Sequence, residues 1–409
     1  MAESTVAPGT ALRPALGTVP GTGLGEVLTL FRTGEELTRS EVMDRTGLSR
    51  STVNGRLDAL LSAGLLVQSA EGAPTRGRPA GRFAFHSERG VLLVADMGAT
   101  AVRVGLCDLR GDVQAQTSVP IEITDGPQVL LGTVTDLIDG LLEDAGRPAS
   151  DVLGIGLSVP GPVDFARGQV VSPPIMPGWD GFDIAGWFAG RGFRSPVVVD
   201  KDVNAMALGE QRTRHPDVTH LLMLKLGTGV GASVVAEGKV YRGADGAAGD
   251  VGHSQLTAAG DAEPPLCRCG NVGCLEAYVG GWALLRDLQA AGKPVRTVDE
   301  VVELVLAGDP AGVQLVRQAG RTLGAAIADA VSLFNPRIVV IGGQLARLET
   351  LLFAGIREMV YKRSLPLATR QLRIERSELD TGAGLVGLAL LLSESIFAPD
   401  RVQAMVGRS

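Results

Sequence analysis

The spacing of apolar residues changes along the chain and divides it into two regions. Before residue 88, apolar positions recur at helical spacing in short segments, whereas from residue 91 long apolar runs alternate with amphipathic stretches. Long apolar runs are typical of strands buried on both faces, and amphipathic stretches are typical of the helices that cover them. The pattern therefore predicts a small, largely helical region followed by a larger α/β region.

Within the first region, two helices are predicted on either side of a tight turn. The run Thr38-Arg39-Ser40-Glu41 is a capping box, which opens a helix that reaches about residue 46. Ser49 is a suitable N-cap for the next helix. The apolar face of that second helix is formed by Val53, Leu57, Leu60 and Leu61.

Short elements flank this pair of helices. A helical pattern at residues 24–31 precedes it, and two strand patterns, at 65–67 and 82–85, follow it. The order helix, helix, turn, helix, hairpin is typical of a winged helix-turn-helix, which we assign to residues 21–88. Residues 1–20 are rich in Ala, Gly, Pro and Thr and are expected to form a disordered tail.

The second region alternates strand and helix patterns. Strands are predicted at 91–95, 101–106, 153–157, 197–199, 221–226, 231–236 and 338–341. Helices are predicted at 129–142, 203–212, 282–291, 298–307, 311–333 and 383–392. Two such halves, each opening with a glycine-turn hairpin, resemble the duplicated actin-like (ribonuclease H-like) fold. We therefore expect an α+β chain with a two-lobed α/β domain over residues 89–395 and a C-terminal tail over 396–409.

Composition narrows the class of protein. The chain has 409 residues, enough for two or three domains. No run of about 18 apolar residues suggests a membrane span, and the N-terminus lacks the pattern of a secretory signal. The thiols are clustered without a wider disulfide pattern, which favours a reducing cytoplasm.

The net charge of −7 is unevenly distributed, because the segment from Arg45 to Arg89 contains seven arginines and three acidic residues. A basic patch of this kind is what a phosphate-binding surface requires.

Three of the four cysteines lie within eight residues, in the run Cys267-Arg-Cys269-Gly-Asn-Val-Gly-Cys274, and His253 precedes them. Three thiolates and one imidazole suit a closed, tetrahedral, structural zinc site. The two glycines of the run allow the tight turns that this convergence needs. The alternative is three free cysteines in a surface loop.

The same run resembles the zinc signature of the ROK family, a group of sugar kinases, open-reading-frame products and transcriptional repressors. The resemblance covers about residues 90–395 and implies a sugar pocket. The segments of this chain that resemble the family's sugar pocket are Pro-Gly-Pro-Val-Asp around Gly161, Asp200-Lys201-Asp202-Val203-Asn204, Gly249-Asp250-Val251-Gly252-His253, and Glu276. The sugar-binding residues implied are Gly161, Lys201, Asp202, Asp250, His253 and Glu276. Asp202 matches the catalytic base of the kinases.

Two positions depart from the family pattern. Lys201 stands where an asparagine is usual, and an ammonium donates hydrogen bonds but cannot accept them. It is expected either to pair with a carboxylate or to favour an anionic ligand, and the alternative is a side chain in solvent. Asp250 replaces a glutamate that is one methylene longer.

Glycine-rich turns resemble the phosphate and adenosine loops of actin-like kinases. The nucleotide-binding residues implied are Asp96, Gly98, Thr100, Gly227, Thr228, Gly229, Gly342 and Gly343. Ala99 replaces a second glycine of the first loop. If that position requires a positive φ, the alanine strains or closes the loop.

The second helix of the helix-turn-helix is the expected recognition helix, which presents its N-terminal side chains to the major groove. The DNA-binding candidates are Arg50, Ser51, Thr52, Asn54 and Arg56, with Arg76 and Arg78 in the wing. Gly55 costs helix stability, and close approach to DNA is one reason to have it there. The alternative is a winged helix that binds only protein.

Two functions follow from these observations. The first is a sugar-responsive transcriptional regulator, a repressor in the preferred reading, with structural Zn²⁺, an operator of double-stranded DNA, a sugar or sugar-phosphate effector and a homodimeric or homotetrameric state. The second is an ATP-dependent sugar kinase with an added DNA-binding module, which uses ATP and Mg²⁺ with Asp202 as catalytic residue.

Overall fold

The structure, a computed structural model, describes residues 23–69, 81–256, 263–379 and 382–407. The predictions for the tail over residues 1–20 and for Arg76 and Arg78 lie outside the described residues. Two compact units divide the chain. The first unit consists of the residues up to Arg89 together with those from Phe397 onward. The second unit is Gly90–Ile396.

The N-terminal unit has the predicted helix-turn-helix order. Its elements are α1 (Leu24–Arg32), β1 (Leu37–Thr38), α2 (Arg39–Thr46), α3 (Arg50–Ser62), β2 (Leu66–Ser69) and β3 (Arg82–Phe85). The three strands form an antiparallel sheet in the order β1-β3-β2. The core is made by side chains with no exposed surface, namely Val27, Leu28, Phe31, Val42, Val53, Leu57, Leu60 and Phe83.

Local signals place the two helices of the motif. The Thr38 backbone N–H donates to Glu41 Oε2 at 2.7 Å, and the Glu41 N–H donates to Thr38 Oγ1 at 3.3 Å, which is the predicted capping box. Gly47 ends α2 with a φ of 71°. Ser49 Oγ accepts the N–H of Thr52 at 3.3 Å and so caps α3 as expected.

The larger unit contains two sheets of five strands each. Its first half comprises β4 (Val91–Met97), β5 (Ala101–Cys107), β6 (Val113–Pro120), α4 (Pro127–Asp144), β7 (Val152–Val159), β8 (Val163–Asp164), β9 (Gln169–Val170), α5 (Ile184–Ala189), β10 (Val197–Lys201) and α6 (Asp202–Thr213). Its second half comprises β11 (Leu221–Leu226), β12 (Val230–Ala236), β13 (Lys239–Tyr241), α7 (Glu276–Val279), α8 (Gly281–Ala290), α9 (Val298–Leu306), α10 (Pro310–Phe334), β14 (Ile338–Gly342), α11 (Glu349–Arg363), α12 (Pro366–Thr369), β15 (Arg373–Arg376) and α13 (Ala383–Ile396).

The two sheets have the same topology. In the order β10-β7-β4-β5-β6, the first three neighbours are parallel and the hairpin strands are antiparallel. The order β15-β14-β11-β12-β13 repeats that arrangement strand for strand. The predicted duplicated α/β fold is confirmed.

Helices α6 and α13 cross closely at the centre of this unit. A Cβ on Gly387 would lie 1.7 Å from the Ala205 carbonyl oxygen, and one on Gly209 would lie 2.3 Å from the Ala383 carbonyl oxygen. Helix α6 follows the first sheet but packs on the second, against Leu221 and Met223. Because α6 passes from the first sheet to the second, its first residue lies between the two sheets.

The predicted C-terminal tail over 396–409 is wrong in part, because Pro399–Val406 form a helix, α14. It belongs to the N-terminal unit, where a Cβ on Gly25 of α1 would lie 2.2 Å from Pro399 Cα. The Phe397 ring packs edge-on against Phe85 at 5.3 Å. Val402, Met405 and Val406 lie at helical spacing, but the contacts that hold the helix are with residues distant in the sequence.

Among the described residues, no single helix is long and apolar enough to span a membrane; only the bent pair α13 and α14, taken together, reaches that length and composition.

Candidate functional site

A cavity of about 630 Å³ lies where the loops of the two halves of the larger unit face each other. It brings together most of the residues predicted to bind sugar or nucleotide. Those that line it are Asp96, Gly98, Thr100, Gly161, Lys201, Asp202, Gly227, Thr228, Gly229, Asp250, His253, Glu276 and Gly343. Gly342 is not among the lining residues, and a Cβ there would contact the methyl groups of Met206 and Met223.

The junction of β10 and α6 supplies the acidic wall of the cavity. Asp200 is 1% exposed, and its carboxylate accepts bonds from Asn204 Nδ2 at 2.7 Å and from Arg242 Nη2 at 2.5 Å. It therefore acts as an internal anchor for the junction. Asp202, which begins α6, is buried but lines the cavity, and its Oδ1 accepts the N–H of its neighbour Val203 at 2.7 Å.

Lys201 does not point into solvent, so that alternative is wrong. The residue is buried, and its ammonium donates to the Ala248 carbonyl oxygen at 2.8 Å. Burial lowers the pKa of Lys201, and the carboxylates of Asp250, Asp200 and Asp202 oppose that shift. The side chain thus connects the β10–α6 junction to the loop that carries Asp250.

A second lysine, which the sequence patterns did not single out, also reaches this wall. Lys225 Nζ lies 2.5 Å from Asp202 Oδ2 and lines the cavity. Burial alone would lower the pKa of Lys225, but the carboxylates of Asp202 and Asp96 outweigh it and raise that pKa. Lys225 interrupts the apolar run Leu221–Leu226, and that interruption is the one signal in the sequence.

Glu276 lies on the wall of the cavity opposite the acidic wall. It connects that wall to the second glycine loop, Gly227-Thr228-Gly229. Its Oε2 accepts the Val230 N–H at 2.9 Å, and its Oε1 accepts the indole N–H of Trp282 at 3.1 Å. A Cβ on Gly229 would lie 2.3 Å from Oε2, so this position has room only for glycine. Each oxygen retains a lone pair that is available to a ligand. Asp250, also on the cavity, is exposed.

The cysteine cluster forms next to this wall. One ligand atom each from His253, Cys267, Cys269 and Cys274 lies within 4.8 Å of all the others. Cys267 Sγ is 3.7 Å from His253 Nδ1, and Cys269 Sγ is 3.7 Å from Cys274 Sγ. These four residues could hold a metal ion, so three independent free thiols are the poorer interpretation. His253 of the cluster and Glu276, which follows Cys274 by two residues, both line the cavity.

The first glycine loop is not strained by Ala99. Among the described residues, positive φ angles outside glycine occur at Ser172, Glu237 and Asn335, and Ala99 is not one of them. The second loop is fixed by α8, whose Gly281 and Trp282 N–H groups donate to the carbonyls of Gly227 and Thr228 at 2.9 and 3.0 Å.

In the N-terminal unit, α3 presents the DNA-binding candidates at its start. Arg50 and Ser51 are exposed, and Thr52, Asn54 and Arg56 are half-buried. Gly55 is exposed, and a Cβ there would meet nothing within 4 Å. By contrast, Arg45 forms an ion pair with Glu35, and Arg82 donates to the Glu36 carbonyl at 2.7 Å.

Comparison with known proteins gives matches to both units. The ROK family model matches residues 93–395, and the IclR helix-turn-helix domain model matches residues 24–70. The chain is 28% identical over 379 residues to the "Xylose repressor" of Caldicellulosiruptor bescii, covering 89% of this chain and 94% of the relative.

Two solved structures are similar. The first is a ROK family transcriptional regulator, a homologue of the E. coli MLC protein, with a TM-score of 0.78, 26% identity and coverage of 94% of this chain and 98% of that chain. The second is a ROK family glucokinase from Streptomyces griseus in complex with glucose and AMPPNP, with a TM-score of 0.64, 27% identity and coverage of 75% and 100%.

Proposed function

The chain belongs to the ROK family, and from this premise we propose that it is a sugar-responsive DNA-binding transcriptional regulator that represses genes of carbohydrate metabolism. The observation that carries the proposal is the presence, in one chain, of a helix-turn-helix unit and a polar cavity lined by Asp202 and Glu276. The relatives that match along nearly the whole chain are named as repressors or regulators.

The start of α3 is the proposed DNA-reading surface. Arginine suits guanine and asparagine suits adenine in the major groove, so Arg50 and Asn54 are the base-reading candidates. Ser51, Thr52 and Arg56 suit phosphates or bases, as do Arg76 and Arg78 of the wing. Exposure of Arg50 and Ser51 supports this assignment.

The effector is proposed to be a sugar bound in the cavity between the two lobes of the larger unit. Asp202, Asp250 and Glu276 supply carboxylate acceptors for hydroxyl groups, and Lys201 supplies a donor. Gly161 and His253 complete the proposed contacts, since both line the same cavity. A cavity of about 630 Å³ is within the range of small-molecule sites.

The metal is proposed to be zinc in a structural role. Four ligands of the type Cys₃His leave no open position, so the ion would stabilise the loop and take no part in catalysis. Tetrahedral zinc with bonds of about 2.3 Å places two sulfurs about 3.8 Å apart. The Cys269–Cys274 distance of 3.7 Å is compatible with that geometry. The ion would fix the segment between His253 and Glu276.

The regulator is proposed to act as a homodimer or homotetramer, because paired helix-turn-helix units read two half-sites at a defined spacing. The chain crosses between its two units twice, after Arg89 and after Ile396. A conformational change in the ROK unit therefore has two covalent routes to the N-terminal unit. Release of DNA requires that the sugar bind one conformation more tightly than the other.

A kinase with an added DNA-binding module is the second candidate. It is favoured by the position of Asp202 on the cavity beside glycine loops that contain Gly98 and Gly227. Such an enzyme would use ATP and Mg²⁺, and a coupled assay with ATP and a hexose panel detects it. Turnover abolished by Asp202→Asn would contradict a regulator without catalysis.

Selection of bound duplexes from a random library, followed by release with sugars, tests the proposed function. D-Xylose, D-glucose and N-acetylglucosamine and their phosphates are titrated against the selected duplex in fluorescence anisotropy. At least one sugar should release the wild-type protein, and Asp202→Asn should bind the same duplex without responding. Equal affinity for every duplex, or no response to any sugar, would contradict the proposal.

A further inference from the structure

Lys225 lies on the face of β11 that covers α6. Leu221, Met223 and Lys225 alternate along that face, and the first two are buried in the apolar layer that includes Met206 of α6. The third side chain reaches the first residue of the same helix, Asp202. Register pairs Lys225 with Gly231 and Gly342, so no side chain of either neighbouring strand crowds it.

The Lys225 ammonium lies within the site, where the carboxylates of Asp202 and Asp96 raise its pKa. Its Nζ is 2.5 Å from Asp202 Oδ2, and the Lys225 side chain is 26% exposed while that of Asp202 is 10% exposed. Asp96 and Asp202 both line the cavity; burial raises the pKa of Asp96, and the Lys225 charge opposes that shift. The Lys225 ammonium therefore interacts with two carboxylates that line the same cavity.

Asp96 is further committed to contacts within the protein. Ser158 Oγ donates to Asp96 Oδ1 at 2.6 Å. A Cβ on Gly384 of α13 would lie 2.4 Å from Oδ2, so the helix packs directly on the carboxylate. Arg103, the cross-strand partner of Asp96 on β5, lines the cavity as well. Lys225 and Arg103 both act to lower the pKa of Asp96, but the effect of its burial is larger.

A divalent cation with bound nucleotide does not fit this arrangement. Mg²⁺ needs near-octahedral oxygen ligands and is commonly bound through one or two carboxylates together with substrate phosphates. Here the carboxylates that would supply those oxygens already have an ammonium, a hydroxyl donor and a packed helix against them. A second, divalent charge would repel the Lys225 ammonium at short range.

We propose that Lys225 is a built-in cation that takes the place of the divalent metal ion at the Asp96–Asp202 end of the cavity. Asp202 is then held as a paired hydrogen-bond acceptor for a sugar hydroxyl. The inference deepens and rests on the proposed function, because it explains how the cavity would bind sugar without phosphorylating it. It assigns Lys225 a positioning role.

Mn²⁺ binding tests the inference directly, because Mn²⁺ prefers oxygen ligands and its free form is counted by electron paramagnetic resonance. The full-length, zinc-loaded protein is titrated with Mn²⁺ alone. Wild-type protein should bind no Mn²⁺ at the cavity. Lys225→Met, whose unbranched side chain is one atom shorter and carries no charge, should bind Mn²⁺ at least about tenfold more tightly than the weakest binding that the titration detects. Adding Asp202→Asn to Lys225→Met should remove that gain.

Matched variants separate the local charge from general destabilisation. Lys293→Met breaks a similar Lys–Asp pair, with Asp309, outside the cavity, and should bind Mn²⁺ as wild type does. Lys225→Arg keeps a cation and should also remain unable to bind it, whereas Lys225→Gln is a second uncharged variant in case Lys225→Met does not fold. Zinc content and melting temperature show which variants are folded.

Two results would overturn the inference. One is wild-type protein that binds one equivalent of Mn²⁺ and loses it on Asp202→Asn. The other is a folded, uncharged variant at position 225 that binds Mn²⁺ no better than wild type. Neither result depends on an operator or a sugar response, so failure here is distinguishable from failure of the proposed function.

Discussion

The Glu276 carboxylate accepts the backbone N–H of Val230, with 2.9 Å between the nitrogen and Oε2. Glu276 begins α7 directly after the cysteine cluster, and Val230 begins β12 directly after the second glycine loop. One buried side chain thus joins the segment that carries the proposed metal ligands to a loop of the cavity. The position of that loop therefore depends on the Glu276 side chain and on the segment that carries the proposed metal ligands.

Glu276→Gln is expected to destabilise the protein and to abolish its response to sugar. Both carboxylate oxygens accept N–H groups, from Val230 and Trp282, so an amide would direct its own N–H₂ at one of these donors. An unsatisfied buried donor costs about 1–3 kcal/mol. Urea unfolding measures the loss. Glu349→Gln, at an exposed residue that begins α11, is the control and should cost less, about 0.3–1 kcal/mol at most for a charge at a helix N-terminus. A stable, sugar-responsive Glu276→Gln protein would show that the contact is dispensable.

Cys269→Ser is expected to remove zinc and the sugar response together. Among the described residues, Leu256 N–H donates to the Gly273 carbonyl at 2.8 Å, and the metal would add a link between His253 and the three thiolates. Zinc is measured by mass spectrometry and sugar response by anisotropy. Cys107→Ala, at the buried cysteine of β5, should keep both. Retained sugar response in zinc-free protein would contradict the role given to the metal.

Arg50→Ala and Asn54→Ala are expected to abolish sequence-specific DNA binding while zinc content stays unchanged. A bidentate contact to a base is worth about 1–3 kcal/mol of discrimination. Competition between the selected duplex and a scrambled one measures that difference. Arg167→Ala removes an arginine that is 77% exposed in the larger unit and serves as the control. If the variants discriminate as well as wild type, another surface reads the DNA.

The sequence predicted the parts of the fold whose signals are local. The capping box at Thr38, the N-cap at Ser49 and the cysteine cluster depend on residues a few positions apart, and each forms as expected. The strand β11 was predicted at its observed bounds, Leu221–Leu226, because it is an uninterrupted apolar run apart from one lysine.

Features that depend on distant contacts escaped prediction. The role of Lys225 is visible only in the folded structure, where β11 packs on α6 and brings the ammonium to Asp202. Helix α14 returns to the N-terminal unit through contacts such as Phe397 with Phe85, which are separated by most of the chain. Helix α11 was missed although its buried residues Leu352, Ile356 and Val360 recur at helical spacing.

Gly387→Ala is expected to destabilise the larger unit. A methyl group there would lie 1.7 Å from the Ala205 carbonyl oxygen, so α6 and α13 would have to separate. Overpacking of this kind costs about 1–3 kcal/mol, and the shift would also displace Asp202 at the start of α6. Gly132→Ala in α4, where a Cβ meets nothing within 4 Å, is the matched control and should be more stable by about 0.5–1 kcal/mol. Equal unfolding free energies for the two variants would contradict the close crossing.

Gly55→Ala is expected to separate stability from DNA binding. The position is exposed within α3 and has open space around a Cβ, so alanine should stabilise the helix by about 0.5–1 kcal/mol. Nothing in the described part of the chain requires glycine there, and a surface that approaches α3 from outside is a reason that remains. If that surface is DNA, the same variant should raise the melting temperature and weaken binding to the selected duplex. A more stable variant with unchanged DNA affinity would exclude close approach at Gly55.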